Sequence, residues 1–245
     1  MRKFIAFTLA ETLIVIGVIG IVSALTLPNL NSSTGEKERI AKVKKIYQNL
    51  QDAFGRAEAV YGPVSEWFVS DGNNDKKQAF RTGERVTEFM KISKYCKQEK
   101  NKGCFSSSGL HDLGGGDTAA ILDDDDTGYK VITADGTSVL FYLTVQGNDT
   151  KGSIAVDIDG PTKGSNAYGK DIFLFDWDNT EQKLGFIPVC RELNFASLVS
   201  DVYAGGKCTA EWIVRYDNAD YLQFKDASGN CKNGNKVTES NPRCK

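Results

Sequence analysis

Four places in the chain carry residues capable of chemistry. In the segment 156–171, VDIDGPTKGSNAYGKD, the side chains of Asp157, Asp159, Asn166 and Asp171 offer hard oxygen donors. Calcium takes six to eight such oxygens. The spacing is not that of an EF-hand, D-x-[DN]-x-[DN]-G. Gly160, Gly164 and Gly169 equally suit a tight loop between strands, in which Asp and Asn bond the local backbone. A structural loop is therefore the expectation and a calcium site the alternative. The run Asp123-Asp124-Asp125-Asp126 could also chelate a cation, but like charges in a row are usually solvated. The single histidine, His111, lies beside Asp112 and near Ser106–Ser108, the residue types of a nucleophilic triad. Geometry defines such a triad, not order. No nucleophile elbow, phosphate-binding loop or HExxH helix accompanies it. The expectation is a protein with no catalytic site, no cofactor and no metal.

The six cysteines are Cys96, Cys104, Cys190, Cys208, Cys231 and Cys244. They show neither CxxC pairs nor Cys/His clusters with zinc spacing. An even set behind an export-like segment reads as disulfides formed in an oxidising compartment. Six cysteines allow 15 connectivities. Pairing of neighbours would give Cys96–Cys104, Cys190–Cys208 and Cys231–Cys244, the last closing a 14-residue C-terminal loop.

The fourth place is Glu11, the only charged side chain between Lys3 and Glu36 in MRKFIAFTLAETLIVIGVIGIVSALTLPNL. From Thr12 to Gly35 there are 24 residues without a charge, about the number a bilayer-spanning helix needs. An ionisable group in such a span costs about 3 kcal/mol even on lenient scales and usually has a function. Arg2 and Lys3 ahead of the run favour a cytoplasmic N-terminus, although Lys37, Arg39, Lys42, Lys44 and Lys45 follow it. An ordinary signal peptide, cut after Val22-Ser23-Ala24, is the simpler reading of the stretch, but it leaves Glu11 unexplained.

The stretch MRKFIA-FTLAETLIVIGVIGIVSALTLPNL resembles the N-terminus of type IV pilins and type II secretion pseudopilins. The resemblance implies a leader, residues 1–6, cut between Ala6 and Phe7 by a prepilin peptidase. It further implies N-methylation of Phe7, Glu11 as the assembly carboxylate and Pro28 as a helix kink. Ala6 departs from the glycine the family prefers before the cut. The segment 156–173 also resembles one that recurs in pilin-like proteins, some of which bind calcium nearby. The implied protein is a structural filament subunit held as a single pass in the bacterial inner membrane, N-terminus inward, before assembly into a periplasmic filament or surface pilus. Its implied partners are its own copies and other pilins, the prepilin peptidase, a platform protein and an assembly ATPase, with membrane lipid before assembly. The alternative is a secreted, disulfide-stapled binding or adhesive domain.

Composition fits a globular protein of one or two domains: 245 residues, 40% hydrophobic and 25% charged. A net charge of −2 predicts no nucleic-acid contact. Ile40, Val43, Tyr47, Leu50, Phe54, Ala57 and Tyr61 recur every three or four residues, predicting an amphipathic helix over 36–61 ended by Gly62-Pro63. A short helix is expected at Gly83–Lys94, and a mobile surface loop at Gly109–Thr127. Strands are expected at Tyr129–Thr133, Thr137–Val145, Ser153–Ile158, Ile172–Trp177 and Leu184–Val189, the first two forming a hairpin at Asp135-Gly136. A helix is expected near Asn194–Tyr203; Thr209–Tyr216 reads equally as helix or strand. The expected fold is α+β and pilin-like: a transmembrane or filament-core helix over 7–30, then a globular region, 31–245, of helix on antiparallel sheet with disulfides.

Overall fold

The computed structural model describes residues 9–67, 75–146, 149–180 and 183–245. The chain divides into two units, residues 1–38 and 39–245. Helix α1 (Leu9–Tyr61) supplies residues to both and is helical through Pro28. Among the described residues no helix is long and apolar enough to cross a membrane. That finding overturns the expected fold with a transmembrane helix at 7–30, and with it the single-pass inner-membrane location. Glu11 lies in the first turn of α1.

The second unit is organised by a six-stranded antiparallel sheet in sequential order. Its strands are β1 (Ile92–Lys97), β2 (Tyr129–Thr133), β3 (Ser138–Gln146), β4 (Asp149–Asp157), β5 (Ile172–Thr180) and β6 (Lys183–Pro188). Alternation along the strands sorts side chains between two cores. Tyr129, Val131, Val139, Phe141, Ile154, Val156, Phe173 and Phe175 face one core, to which α1 contributes Val43, Ile46, Leu50, Ala53, Phe54 and Ala57. Leu140, Ala155 and Ile172 face the other, covered by Cys96, Cys104, Phe105, Leu110 and Leu122. The stripe read from the sequence is thus the buried face of α1, widened by Ile46 and Ala53. Phe54 stacks on Trp177 with ring centroids 4.5 Å apart, and on Phe186 at 5.7 Å. Each such fully buried side chain contributes about 1.5–3 kcal/mol relative to exposure.

The basic cluster after the apolar run ties α1 to loops at the sheet's end. Arg39 donates to the Lys170 carbonyl at 2.7 Å, and Lys42, Lys44 and Lys45 pair with Asp159, Asp217 and Asp135 at 2.9, 2.5 and 2.7 Å. Such partly exposed pairs contribute little individually, so their value lies in orientation. The β2–β3 hairpin closes as expected, with Gly136 at φ +89° and its N–H bonded to the Thr133 carbonyl.

One local expectation is corrected. Helix α2 occupies Asp75–Thr87 and the chain is extended from Ile92, where a helix was expected to Lys94. Pairing of Ile92, Lys94, Tyr95 and Lys97 with β2 overrides the local helical spacing. Gly83 also lies inside α2, because a side chain there would collide with the Tyr129 ring at 2.3 Å. Within the segment 109–127, Leu110 and Leu122 are buried, the Leu110 N–H donates to the Ala120 carbonyl at 2.8 Å and the Thr118 N–H to the Leu110 carbonyl at 2.9 Å. Helix α3 (Phe195–Ala204) is capped by Asn194, and α4 (Thr209–Tyr216) resolves the ambiguous segment as helix. The disulfides are Cys96–Cys104, Cys190–Cys208 and Cys231–Cys244, the neighbour pairing.

Replacing Gly83 by alanine forces either α2 or Tyr129 to move. We expect Gly83→Ala to lower stability by about 1–3 kcal/mol in denaturant unfolding with the slope unchanged. An unaltered midpoint would refute the close approach.

Candidate functional site

Of the side-chain oxygens of the 156–171 loop, those of Asp157, Asp159 and Asp171 have partners within the protein, while Asn166 Oδ1 is buried without a hydrogen-bond partner. Asp157, at the end of β4, is buried; its Oδ1 accepts from the backbone N–H groups of Asp159 and Gly160 at 3.0 and 2.9 Å. Asp159 pairs with Lys42. Asp171, also buried, accepts from the backbone N–H groups of Asn166 at 2.6 Å and Ala167 at 2.7 Å. The Asn166 carboxamide donates to the carbonyls of Ser108 and Gly109. These are bonds that fold a loop upon itself and lash it to the 106–109 segment. Burial pushes the Asp157 carboxyl up to about 7, with the Asp171 charge adding to the rise and the Asp159 and Gly160 N–H groups opposing it. Among the described residues, one group has metal-ligand proximity: Cys190, Asp201 and Cys208, whose two sulfurs are joined to each other.

The aspartate run is likewise structural. Asp123 is buried, and its carboxylate accepts from three successive backbone N–H groups, those of Gly103 at 2.8 Å, Cys104 at 2.9 Å and Phe105 at 3.1 Å. This seats the run against the Cys96–Cys104 loop. Asp125 accepts from Thr127, Gly128 and the Tyr142 hydroxyl. Burial works to raise its pKa, but these hydrogen bonds outweigh it and leave Asp125 below the usual carboxylate range. The cation that serves the run belongs to the protein. Lys130, fully buried on β2, donates to the carbonyls of Asp123 at 2.7 Å and Asp125 at 2.5 Å. Burial lowers the Lys130 pKa while the surrounding aspartates oppose that shift. The sequence reading missed Lys130. Its only signal was a lysine inside a strand that is otherwise Tyr, Val, Ile and Thr.

His111 does not form a triad with its serines. Its Nδ1 lies 2.6 Å from Asp117 Oδ1 on the surface, not from Asp112, and its backbone bridges to Asn166 and Tyr168. Ser106 and Ser108 hydrogen-bond each other. The residues found by type alone are therefore held in structural hydrogen bonds, with the His111 segment and the 156–171 loop bonded to each other through Asn166 and Tyr168.

What remains is in the first unit. Nine large apolar side chains of α1, from Leu9 to Val22, are 53–81% exposed. At about 100° per residue they point to every side of the helix, leaving no gap wider than about 80°. A helix that is apolar all round belongs in an interior. Glu11 is exposed among them. Ala6 and Phe7 lie outside the described residues. No family model, no curated protein and no solved structure matches this chain.

The Asp157 carboxyl gives a pH test of the loop. Its folded pKa lies above the ordinary 3.8, so its contribution to stability is complete below about pH 4 and is lost as pH rises toward 7. Asp157→Asn keeps the oxygen that accepts from Asp159 and Gly160 but cannot ionise. Relative to the parent chain, it should gain stability between pH 4 and 7, by on the order of 4 kcal/mol at the plateau. Parallel pH profiles for the two proteins would contradict the buried acid.

Proposed function

We propose that this chain is a structural subunit of a filament of the type IV pilus or type II secretion pseudopilus kind, assembled through its N-terminal helix. The observation that supports this reading is the apolar surface on all sides of α1 between Leu9 and Val22. A single apolar stripe would be satisfied by one partner helix. Apolar surface on every side calls for several, as in the core of a helical filament. Covering nine such side chains is worth on the order of 10 kcal/mol per subunit before the cost of association.

Glu11 supplies register in this proposal. A prepilin peptidase cuts between Ala6 and Phe7 and methylates the new amine, and the Glu11 carboxylate of one copy meets the Phe7 ammonium of the next. Once covered, such a pair is costly to break, since removing one partner strands the other charge in an apolar bundle. The subunit itself performs no catalysis. A platform protein and an assembly ATPase supply the work.

The test is Glu11→Ala. The expected outcome is a folded protein, cleaved before Phe7 but forming no filaments under negative-stain microscopy. Filaments indistinguishable from those of the parent would remove the proposed role of Glu11. Sequencing of the mature N-terminus tests the rest: methylated Phe7 supports the filament subunit, and Leu25 as first residue replaces it with a secreted domain.

A further inference from the structure

In the second unit an open cleft of about 390 Å³ lies where three distant segments meet. Lys45, Asn49 and Asp52, on successive turns of α1, form one wall. The link from α2 to β1 brings half-buried Phe89 and Met90, then Lys91. The β2–β3 turn closes the third side with Asp135 and is tied to the link by a hydrogen bond from Ala134 N–H to the Lys91 carbonyl. The size is that of a small-molecule site with an apolar lining and a few polar groups.

The charges in and around the cleft cancel in pairs, with one exception. Lys45 sits 2.7 Å from Asp135, whose pKa is held down at about 2 by Lys45 and the Thr133 hydroxyl despite its burial. Arg56 sits 3.5 Å from Asp52 and lies over the Phe89 ring at 5.2 Å. Among the described residues, the Lys91 ammonium and the Asn49 carboxamide have no hydrogen-bond or ion-pair partner. One unspent cation, one unspent amide and an apolar floor of Phe89 and Met90 together define a ligand.

We infer that this cleft binds a monocarboxylate bearing a compact apolar group, with its carboxylate on Lys91 and Asn49 and its apolar part on Phe89 and Met90. With Asp52 and Asp135 already paired to Arg56 and Lys45, Lys91 is the one cation of the cleft left to meet a negative charge, which matches a single carboxylate. The same chemistry is presented by a free small acid and by the C-terminus of a peptide ending in an apolar residue. The inference is independent of the filament proposal, since none of its residues belongs to the apolar part of α1.

The experiment is titration calorimetry of the 245-residue chain with phenylacetate, using its methyl ester and benzylamine as controls. Phenylacetate should bind with a dissociation constant on the order of 1 mM, as suits about ten non-hydrogen atoms in an open site. Both controls should bind at least ten-fold more weakly. Lys91 and Asn49 are exposed, so Lys91→Gln and Asn49→Ala leave the fold intact, and each should weaken phenylacetate by about three- to ten-fold. N-acetylglycylphenylalanine separates the sources: tighter binding than phenylacetate assigns a peptide C-terminus, weaker binding a free acid. No binding of either acid, equal binding of benzylamine, or full affinity in Lys91→Gln would each overturn the inference.

Discussion

Burial of one stripe of α1 on one face of the sheet is the contact around which the second unit is arranged. Phe54 lies at its centre, against Trp177, Phe186 and Phe141. Because the stripe is fixed in rotation by this stacking, the opposite flanks of the same helix are fixed too. Arg39, Lys42, Lys44 and Lys45 are then carried to three different loops, and Lys45, Asn49 and Asp52 to the wall of the cleft. A packing constraint thus decides where the polar groups can act. The ion pairs refine an orientation that hydrophobic burial has already chosen.

The sheet was legible where side-chain alternation is strong on both faces. In β3 and β4, Val139, Phe141, Ile154 and Val156 fill one core while Leu140 and Ala155 fill the other, so β3 reads as a nearly continuous apolar run and β4 as a short apolar run, Ile154–Val156, at its end. β1 was illegible because only Cys96 of its six residues is buried, and pairing with β2 alone makes it a strand. α2 was misplaced because Gly83, in the middle of the helix, reads locally as a breaker. Its reason is the ring of Tyr129, 46 residues away in sequence. The long apolar run near the N-terminus was read as a membrane span by its lack of charge. The described part of α1 does not meet the length and apolarity such a span requires.

The site residues were legible by type and not by role. Four aspartates in a row look like a chelating or solvated surface, yet Asp123 is an internal hydrogen-bond acceptor and Lys130 holds the backbone carbonyls of the same run. Asp157 and Asp171 look like cation ligands, but each caps backbone N–H groups of its own loop. A carboxylate beside a tight turn finds N–H donors within its own chain more readily than it finds an ion. The cleft drew no attention in the sequence because its walls come from residues near 50, near 90 and near 134, and nothing local links them.

The sulfur bridges join cysteines only 8, 18 and 13 positions apart, and the six strands follow one another across the sheet in chain order. Closing a short loop costs little entropy, and neighbour-to-neighbour wiring keeps contact order low. Each bridge can therefore form from its own stretch of chain without waiting for a distant segment. Of the connectivities open to six thiols, the one adopted is also the one that the shortest searches find first.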